Sequence, residues 1–412
     1  MDRRGARAVV RRARHTGGVG ARLRDAALLV AAGLALTACT SAVAQAPDWQ
    51  PKPDAPYAAE PDAPGAQPSS PGAPSPGPSQ GPGQTPSPGP TTSGPDPNVL
   101  ATHLDNPVGL VLLPDGTGLV GERTTGRILQ VQPQPGQPTP VVQTLGGLDA
   151  GGDGGLLDLA VAPTYAETGL VYAYVTTPTD NEVVTFTLGG AVTPVVRGIP
   201  RGATGNAGRI LFDADGDLVV ATGTAGLPPD PASLAGKVLR FDDVGRPAAD
   251  DPTTGSPVYT SGLQGAEALC SVAAVPDGPV GATLVVGAAA TGTLQVAAPG
   301  DAVGAALATV PTGFGGLGGC AVQGTQVFVT SRDGRALLAA DLTAPGGSVV
   351  RMGSLKAGLK DAYGRLRTVV AAPDGTLWVT TSNRDGAGQP TPDDDRVVRI
   401  TPSGGGGTGS KA

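Results

Sequence analysis

Val369-Val370-Ala371-Ala372-Pro373-Asp374-Gly375-Thr376-Leu377-Trp378-Val379 is an apolar run, an Asp-Gly turn and a second apolar run. Asp-Gly between two short apolar strands is a strong hairpin signal, because glycine accepts the positive φ that such turns need. Working upstream, the same theme returns at Leu110–Val120 around Pro114-Asp115-Gly116, and at Leu159–Tyr172 behind Ala162-Pro163. It returns again at Ile210–Val220 around Asp213-Ala214-Asp215-Gly216, at Val272–Val286 around Pro276-Asp277-Gly278, and at Cys320–Val329 around Gly324. The turns fall near 116, 167, 216, 278, 324 and 375. Their mean spacing is about 52 residues, close to the roughly 40–50 that a blade of four short antiparallel strands needs. No stretch between them keeps a helical period. The pattern predicts an all-β chain, a six-bladed β-propeller over residues 98–403.

Composition agrees once it is split by position. The 412 residues include 65 Gly and 42 Pro, a load that in an unpatterned chain signals low complexity. Yet residues 46–97 hold 17 of the prolines and only six charged residues. Such a stretch buries too little apolar surface to offset its ordering entropy, so it reads as a disordered or polyproline tether. Charged residues are 15 % and aromatics 3 % of the chain, as expected of Val, Leu, Ala and Thr strands packed blade on blade. Coiled coils are excluded by the scarcity of charge, and collagen by the absence of a Gly-X-Y period.

The beginning of the chain is a targeting segment. Arg3, Arg4, Arg7, Arg11, Arg12, Arg14, Arg22 and Arg24 precede an apolar run from Ala26 to Ala38. That run is shorter than the ~20 residues a bilayer-spanning helix needs. It ends Leu36-Thr37-Ala38-Cys39, which resembles the bacterial lipobox, whose cysteine is acylated and becomes the mature N-terminus. The expectation is a lipoprotein signal peptide over 1–38, then lipidated Cys39 and the tether over 39–97, the propeller, and a flexible tail over 404–412. Its location would be extracytoplasmic, held to the outer face of the cell membrane by Cys39, with the lipid bilayer as partner. The alternative is an ordinary secretory signal that leaves Cys39 a bystander, and the export route stays open. Without the leader's eight arginines, Asp2 and Asp25, the formal charge falls from −7 to −13. An acidic chain lacks the basic face that phosphate backbones require, which excludes nucleic acid.

Cys270 and Cys320 are then the remaining cysteines. An even pair in an oxidising compartment favours a disulfide, and their matching positions in the fourth and fifth repeats would make it a staple between neighbouring blades. Two separate buried thiols are the alternative.

Several motifs together resemble the quinoprotein glucose/sorbosone dehydrogenase family. They are Asn106-Pro107-Val108-Gly109-Leu110 with Glu122-Arg123, Gly152-Asp153-Gly154-Gly155-Leu156-Leu157, and Leu234-Ala235-Gly236-Lys237-Val238-Leu239-Arg240. Gly364-Arg365-Leu366-Arg367, Asn383-Arg384-Asp385-Gly386 and Asp394-Asp395-Arg396-Val397-Val398-Arg399 continue the series, over residues 104–402. A closer likeness, carried by Ala162-Pro163-Thr164-Tyr165 and Thr176–Asn181, is to actinobacterial lipoproteins of the LppZ type. The resemblance implies a six-bladed propeller that oxidises sugars with pyrroloquinoline quinone (PQQ) and calcium. Carried over residue by residue, the match breaks at the chemistry. The family's base histidine opens a His-x-x-Gly-Arg segment, and here Gly205 stands in its place before Asn206-Ala207-Gly208-Arg209. The family's Asp in the following turn falls at Thr224, its Arg-Asn pair at Gln264-Gly265, and its calcium stretch has no counterpart.

What survives is Asp153 in the substrate loop, the candidate catalytic residue, and the cofactor-side pair Arg365 and Arg367. Two arginines flanking one strand residue face the same side, a possible clamp for a carboxylate-rich ligand. Glu267 is an alternative base, against a solvated glutamate. His103, the sole histidine after the leader, reads as a surface residue. Asp393-Asp394-Asp395 reads as a solvated turn balanced by Arg396 and Arg399 rather than a metal site. The function expected is a tethered propeller of this family, catalytically degenerate, that binds a small molecule, a carbohydrate or a partner in its funnel. The alternative is an active quinone-dependent aldose dehydrogenase with a rearranged site.

Overall fold

The computed structural model describes residues 96–272, 283–288, 290–300, 302–344 and 350–402. The leader, Cys39, nearly all of the tether, the Pro276-Asp277-Gly278 turn and the tail lie outside these residues.

The strands form six antiparallel sheets, each built from consecutive strands of the chain except for the one that closes the ring. Their innermost strands are Pro107–Leu112, Leu156–Val161, Gly208–Phe212, Ala266–Val272, Leu317–Gln323 and Leu366–Ala371. Each inner strand packs against the inner strands of the blades before and after it, so the six enclose a common axis. Closure joins the two ends of the domain: Val99–Ala101 pairs antiparallel with Val397–Ile400 as the outer strand of blade 6. The single α-helical element among the described residues is one turn, Tyr165–Thr168, at the turn of the second repeat. Among the described residues no helix is long and apolar enough to cross a membrane.

The hairpin chemistry is visible in the turns themselves. Gly116 and Gly375 adopt φ of 83° and 87°. Beside each, an aspartate carboxylate accepts from the following Thr amide and hydroxyl, at 2.9 and 2.7 Å in the first turn and 2.9 and 2.6 Å in the last. The core is divided in the same way as the fold. Each hydrophobic cluster draws on two adjacent blades: Val108, Leu119 and Ile128 of blade 1 pack with Leu156, Val171 and Phe186 of blade 2, for example. Burial of apolar surface, worth roughly 25 cal/mol per Å², therefore acts between blades and holds the ring together.

A disulfide joins Cys270 and Cys320 across the inner strands of blades 4 and 5, with Cα atoms 5.4 Å apart. It lies in the wall of the axial channel, one end of which is an open cavity of about 600 Å³.

Candidate functional site

The opposite end of the axis gathers several charged side chains. Here the inner strands of blades 2, 3, 4 and 6 begin, and their first residues meet the loop after the second strand of blade 5. Asp153, Arg209, Glu267, Arg332 and Arg367 share the wall of one axial cavity of about 70 Å³. Arg332 pairs with Glu267 at 2.8 Å. Arg209 donates from Nε to the Glu267 carbonyl at 3.0 Å, bonds the Gly318 carbonyl, and lies 3.6 Å from Asp158. Asp158 is a buried strut below the cavity; burial raises its pKa, while Arg209 and the Ile210 amide, donating at 2.9 Å, act against that. Arg123 lies close by, its Nη1 bonded to the carbonyls of Gly154 and Gly152 at 2.8 and 3.3 Å.

Arg367 differs from these. Its Nε is shut off from solvent and has no hydrogen-bond partner. Its pKa is pulled down, first by burial and then by the like charges of Arg332, Arg209 and Arg123. A guanidinium stays charged all the same, and the Asp385 carboxylate acts against the lowering while Glu267 shares the cavity wall.

The expected site residues are distributed around this centre. Asp153 is spent on structure: its carboxylate accepts from the Gly205 amide at 2.6 Å and from the Asn206 amide and side chain at 3.2 and 2.7 Å. Gly205 itself adopts φ of 78°, and a Cβ placed there would meet the Gly226 amide nitrogen at 2.9 Å and Thr224 Oγ1 at 3.3 Å. Glu267 is ion-paired inside the cavity and is not a solvated side chain. His103 is exposed and contacts Thr102 Oγ1 at 2.8 Å.

Arg365 and Arg367 part company. The strand starts at Leu366 and its pairing slips before Val369, so Arg365 is turned away. It faces a separate pocket of about 380 Å³, bonded to Asp385 at 2.9 Å and Asp333 at 3.2 Å. The acidic triplet is also placed differently from expectation. Asp394 and Asp395 are fully buried; only Asp393 meets water. Asp395 accepts from the Asn383 and Arg384 amides at 2.5 and 3.2 Å, and Asp394 binds Arg396 at 2.8 Å. Three consecutive carboxylates do point apart, but the amides of the 383–384 turn stand where a solvated turn would have water. Arg399 bonds the Pro133 carbonyl at 2.9 Å and leaves the triplet alone. Arg123 and Arg209 join the site from the Glu122-Arg123 motif and the Gly205–Arg209 segment, and Arg332 from no motif at all. Their common signal is position, since each stands where a strand begins or ends at the same rim of the ring.

A family model described as glucose/sorbosone dehydrogenase matches residues 104–272. The structure is similar to the PQQ-bound aldose sugar dehydrogenase of Streptomyces coelicolor, at 32 % identity and a TM-score of 0.67, over 74 % of this chain and 96 % of that one. The chain belongs to the glucose/sorbosone dehydrogenase family. It is also similar to a putative oxidoreductase (glucose dehydrogenase) of Thermus thermophilus, at 32 % identity and a TM-score of 0.65, over 73 % of this chain and 98 % of that one. The aldose sugar dehydrogenase YliI of Escherichia coli K12 is 31 % identical over 170 residues. That match takes in 37 % of this chain and spans under half, 46 %, of the E. coli enzyme.

Membership implies PQQ and calcium, and the residues present do not fit them. The positions that correspond to the family's cofactor contacts open into three different spaces. Arg367 faces the axial cavity, Arg365 the pocket at blades 5 and 6, and Gln264 with Thr224 a pocket of about 440 Å³ beside blade 3. The axial cavity is about 70 Å³. Calcium requires roughly 6–8 oxygen ligands. Among the described residues no group of three or more His, Cys, Asp or Glu side chains is arranged to hold a metal.

Proposed function

We propose that this member of the family is a non-catalytic, ligand-binding propeller, carried to the extracytoplasmic face and anchored in the bilayer through acylated Cys39. The observation that carries the reading is Gly205. Abstraction of a proton from a sugar hydroxyl needs a base within hydrogen-bond reach. The family position for that base bears no side chain, and the backbone around it has a positive φ and no room for one. Asp153, the nearest candidate to replace it, has both oxygens committed to the amides of Gly205 and Asn206. What remains is a funnel lined with arginines, suited to holding an anionic group rather than transforming a neutral sugar.

The second reading, a quinone-dependent aldose dehydrogenase with a rearranged site, draws on the 32 % identity to the S. coelicolor enzyme. Fold likeness alone does not carry chemistry to a chain whose site residues differ. Equilibrium titration of the full chain with PQQ in the presence of calcium separates the two. The binding-propeller reading expects no saturable change in the quinone's absorbance or in protein fluorescence. Stoichiometric, tight saturation would favour the dehydrogenase.

A further inference from the structure

The pocket beside blade 3 has a volume of about 440 Å³, within the range of roughly 300–1,000 Å³ that small-molecule sites occupy. One wall is the loop between the blade's second strand, Leu218–Thr222, and its third, Val238–Phe241. The other comes from residues on either side of the outer strand, Val258–Thr260. Pro228, Pro229 and Pro231 stiffen the loop. Each fixes its φ and has no N–H to donate, so this wall is apolar and formed in advance. Leu227, 46 % exposed, adds to it, and Val258 and Leu263 face it from the other side. The two walls are tied where the Leu263 amide donates to the Gly236 carbonyl at 2.9 Å.

On this lining stands Lys237, only 4 % exposed. Its Nζ donates to the Asp230 carbonyl at 2.8 Å, and Asp230 is itself a residue of the pocket wall. An ammonium has three protons to donate. Among the described residues this one has a single acceptor and no carboxylate within ion-pair distance. The Asp230 carboxylate accepts instead from the Ala232 amide at 2.9 Å. Burial lowers the Lys237 pKa, and the Asp230 charge acts against that. Lysines are seldom buried without a counter-charge, so the pocket presents a cation with its pairing incomplete. Gln264 stands where the family has an arginine, which leaves Lys237 the one cation among the lining residues. Thr224, Ser261 and Gln264 bring further polar side chains, and none of the three is hydrogen-bonded among the described residues.

A matching ligand carries one negative charge for Lys237 and an apolar body for the walls. A polyol leaves the ammonium unpaired and sets hydroxyls against prolines and leucines. A phosphate ester brings about two charges to a single cation, with the Asp230 carboxylate near. A carboxylate brings one charge and two acceptor oxygens. The geometry points to a binding site for a small monocarboxylic acid with an apolar body, its carboxylate on Lys237 and its body against Leu227, Val258 and Leu263. This names a ligand class for the binding propeller, and it rests on the non-catalytic reading because Thr224 and Gln264 occupy positions that correspond to cofactor contacts in the family.

The test is isothermal titration calorimetry of the full chain with sodium octanoate, octanamide and sodium acetate at matched ionic strength. Octanoate is expected to saturate at one per chain. Octanamide has the same body without the charge, and acetate the charge without the body. Each is expected to bind at least about tenfold more weakly. These three ligands test charge and body with no substitution at all. Lys237→Met keeps the apolar stem and is expected to weaken octanoate to the level of octanamide. Leu227→Ser, at a half-exposed position, is expected to weaken octanoate about threefold or more while leaving Tm unchanged. Octanamide as tight as octanoate, unaltered octanoate binding in either variant, or no saturable heat with octanoate would each overturn the proposal. Failure of octanoate to bind leaves the non-catalytic reading standing. Saturation by PQQ removes that reading, and the carboxylate site falls with it only if PQQ displaces octanoate.

Discussion

Gly205 concentrates the chemistry of the site in one residue. Its φ of 78° and the 2.9 Å approach that a Cβ would make to the Gly226 nitrogen fix it as glycine for local reasons. Restoring the family's histidine should therefore not restore a base. A non-glycine residue in the left-handed region costs roughly 1–2 kcal/mol before any crowding is counted. Gly205→His is expected to lose at least about 2 kcal/mol in urea unfolding and to gain no activity; a variant as stable as wild type would show that the loop has room after all. That glycine stands at the family's histidine position is legible in the sequence, because a substitution within His-x-x-Gly-Arg needs no structure to be seen. That Asp153 is spent on the amides of Gly205 and Asn206 is not legible, since those partners lie 52 and 53 positions away along the chain.

At the scale of strands and turns, the Asp-Gly punctuation predicts the hairpins well, because the constraint is local: a positive φ and a side-chain cap within three residues. The orientation of charged residues at strand ends is harder to read. A slip in pairing between Leu366 and Val369 separates Arg365 from Arg367, although period-two alternation puts them on one side. The burial of Asp394 and Asp395 is hidden for a related reason, since the amides that receive Asp395 belong to another turn. The Cys270–Cys320 link is an element-scale device, joining inner strands 50 residues apart. A loop of that length gives a chain-entropy contribution of up to about 4 kcal/mol. The Cys270→Ala/Cys320→Ala double variant is expected to unfold with about 2–4 kcal/mol less stability under oxidising conditions, and to be insensitive to reductant. Equal stability with and without the bond would mean that packing between blades 4 and 5 is sufficient by itself.

As a whole molecule, the ring is only as closed as its last blade. Val99–Ala101 comes from the beginning of the domain and pairs with Val397–Ile400 from its end, so closure must wait for both. Leu100 is buried at that seam with Val397 and Trp378. Leu100→Ala is expected to cost about 2–4 kcal/mol and to raise proteolysis near the seam before elsewhere; cleavage first at another blade would contradict the seam's role. The repeat count and the ring are readable from sequence because each blade carries its own signal. The convergence of four arginines on the axis is not, because it exists only once blades 1, 3, 5 and 6 are brought around to one rim. The claim that joins these scales is that the ring keeps the family's architecture and has given up its reaction. Dye-linked oxidation measures this most directly, with the full chain, PQQ, calcium and a panel of aldoses. Reduction of the acceptor at the rate of the protein-free control is the predicted result. Turnover that scales with protein concentration and saturates with any aldose would contradict it.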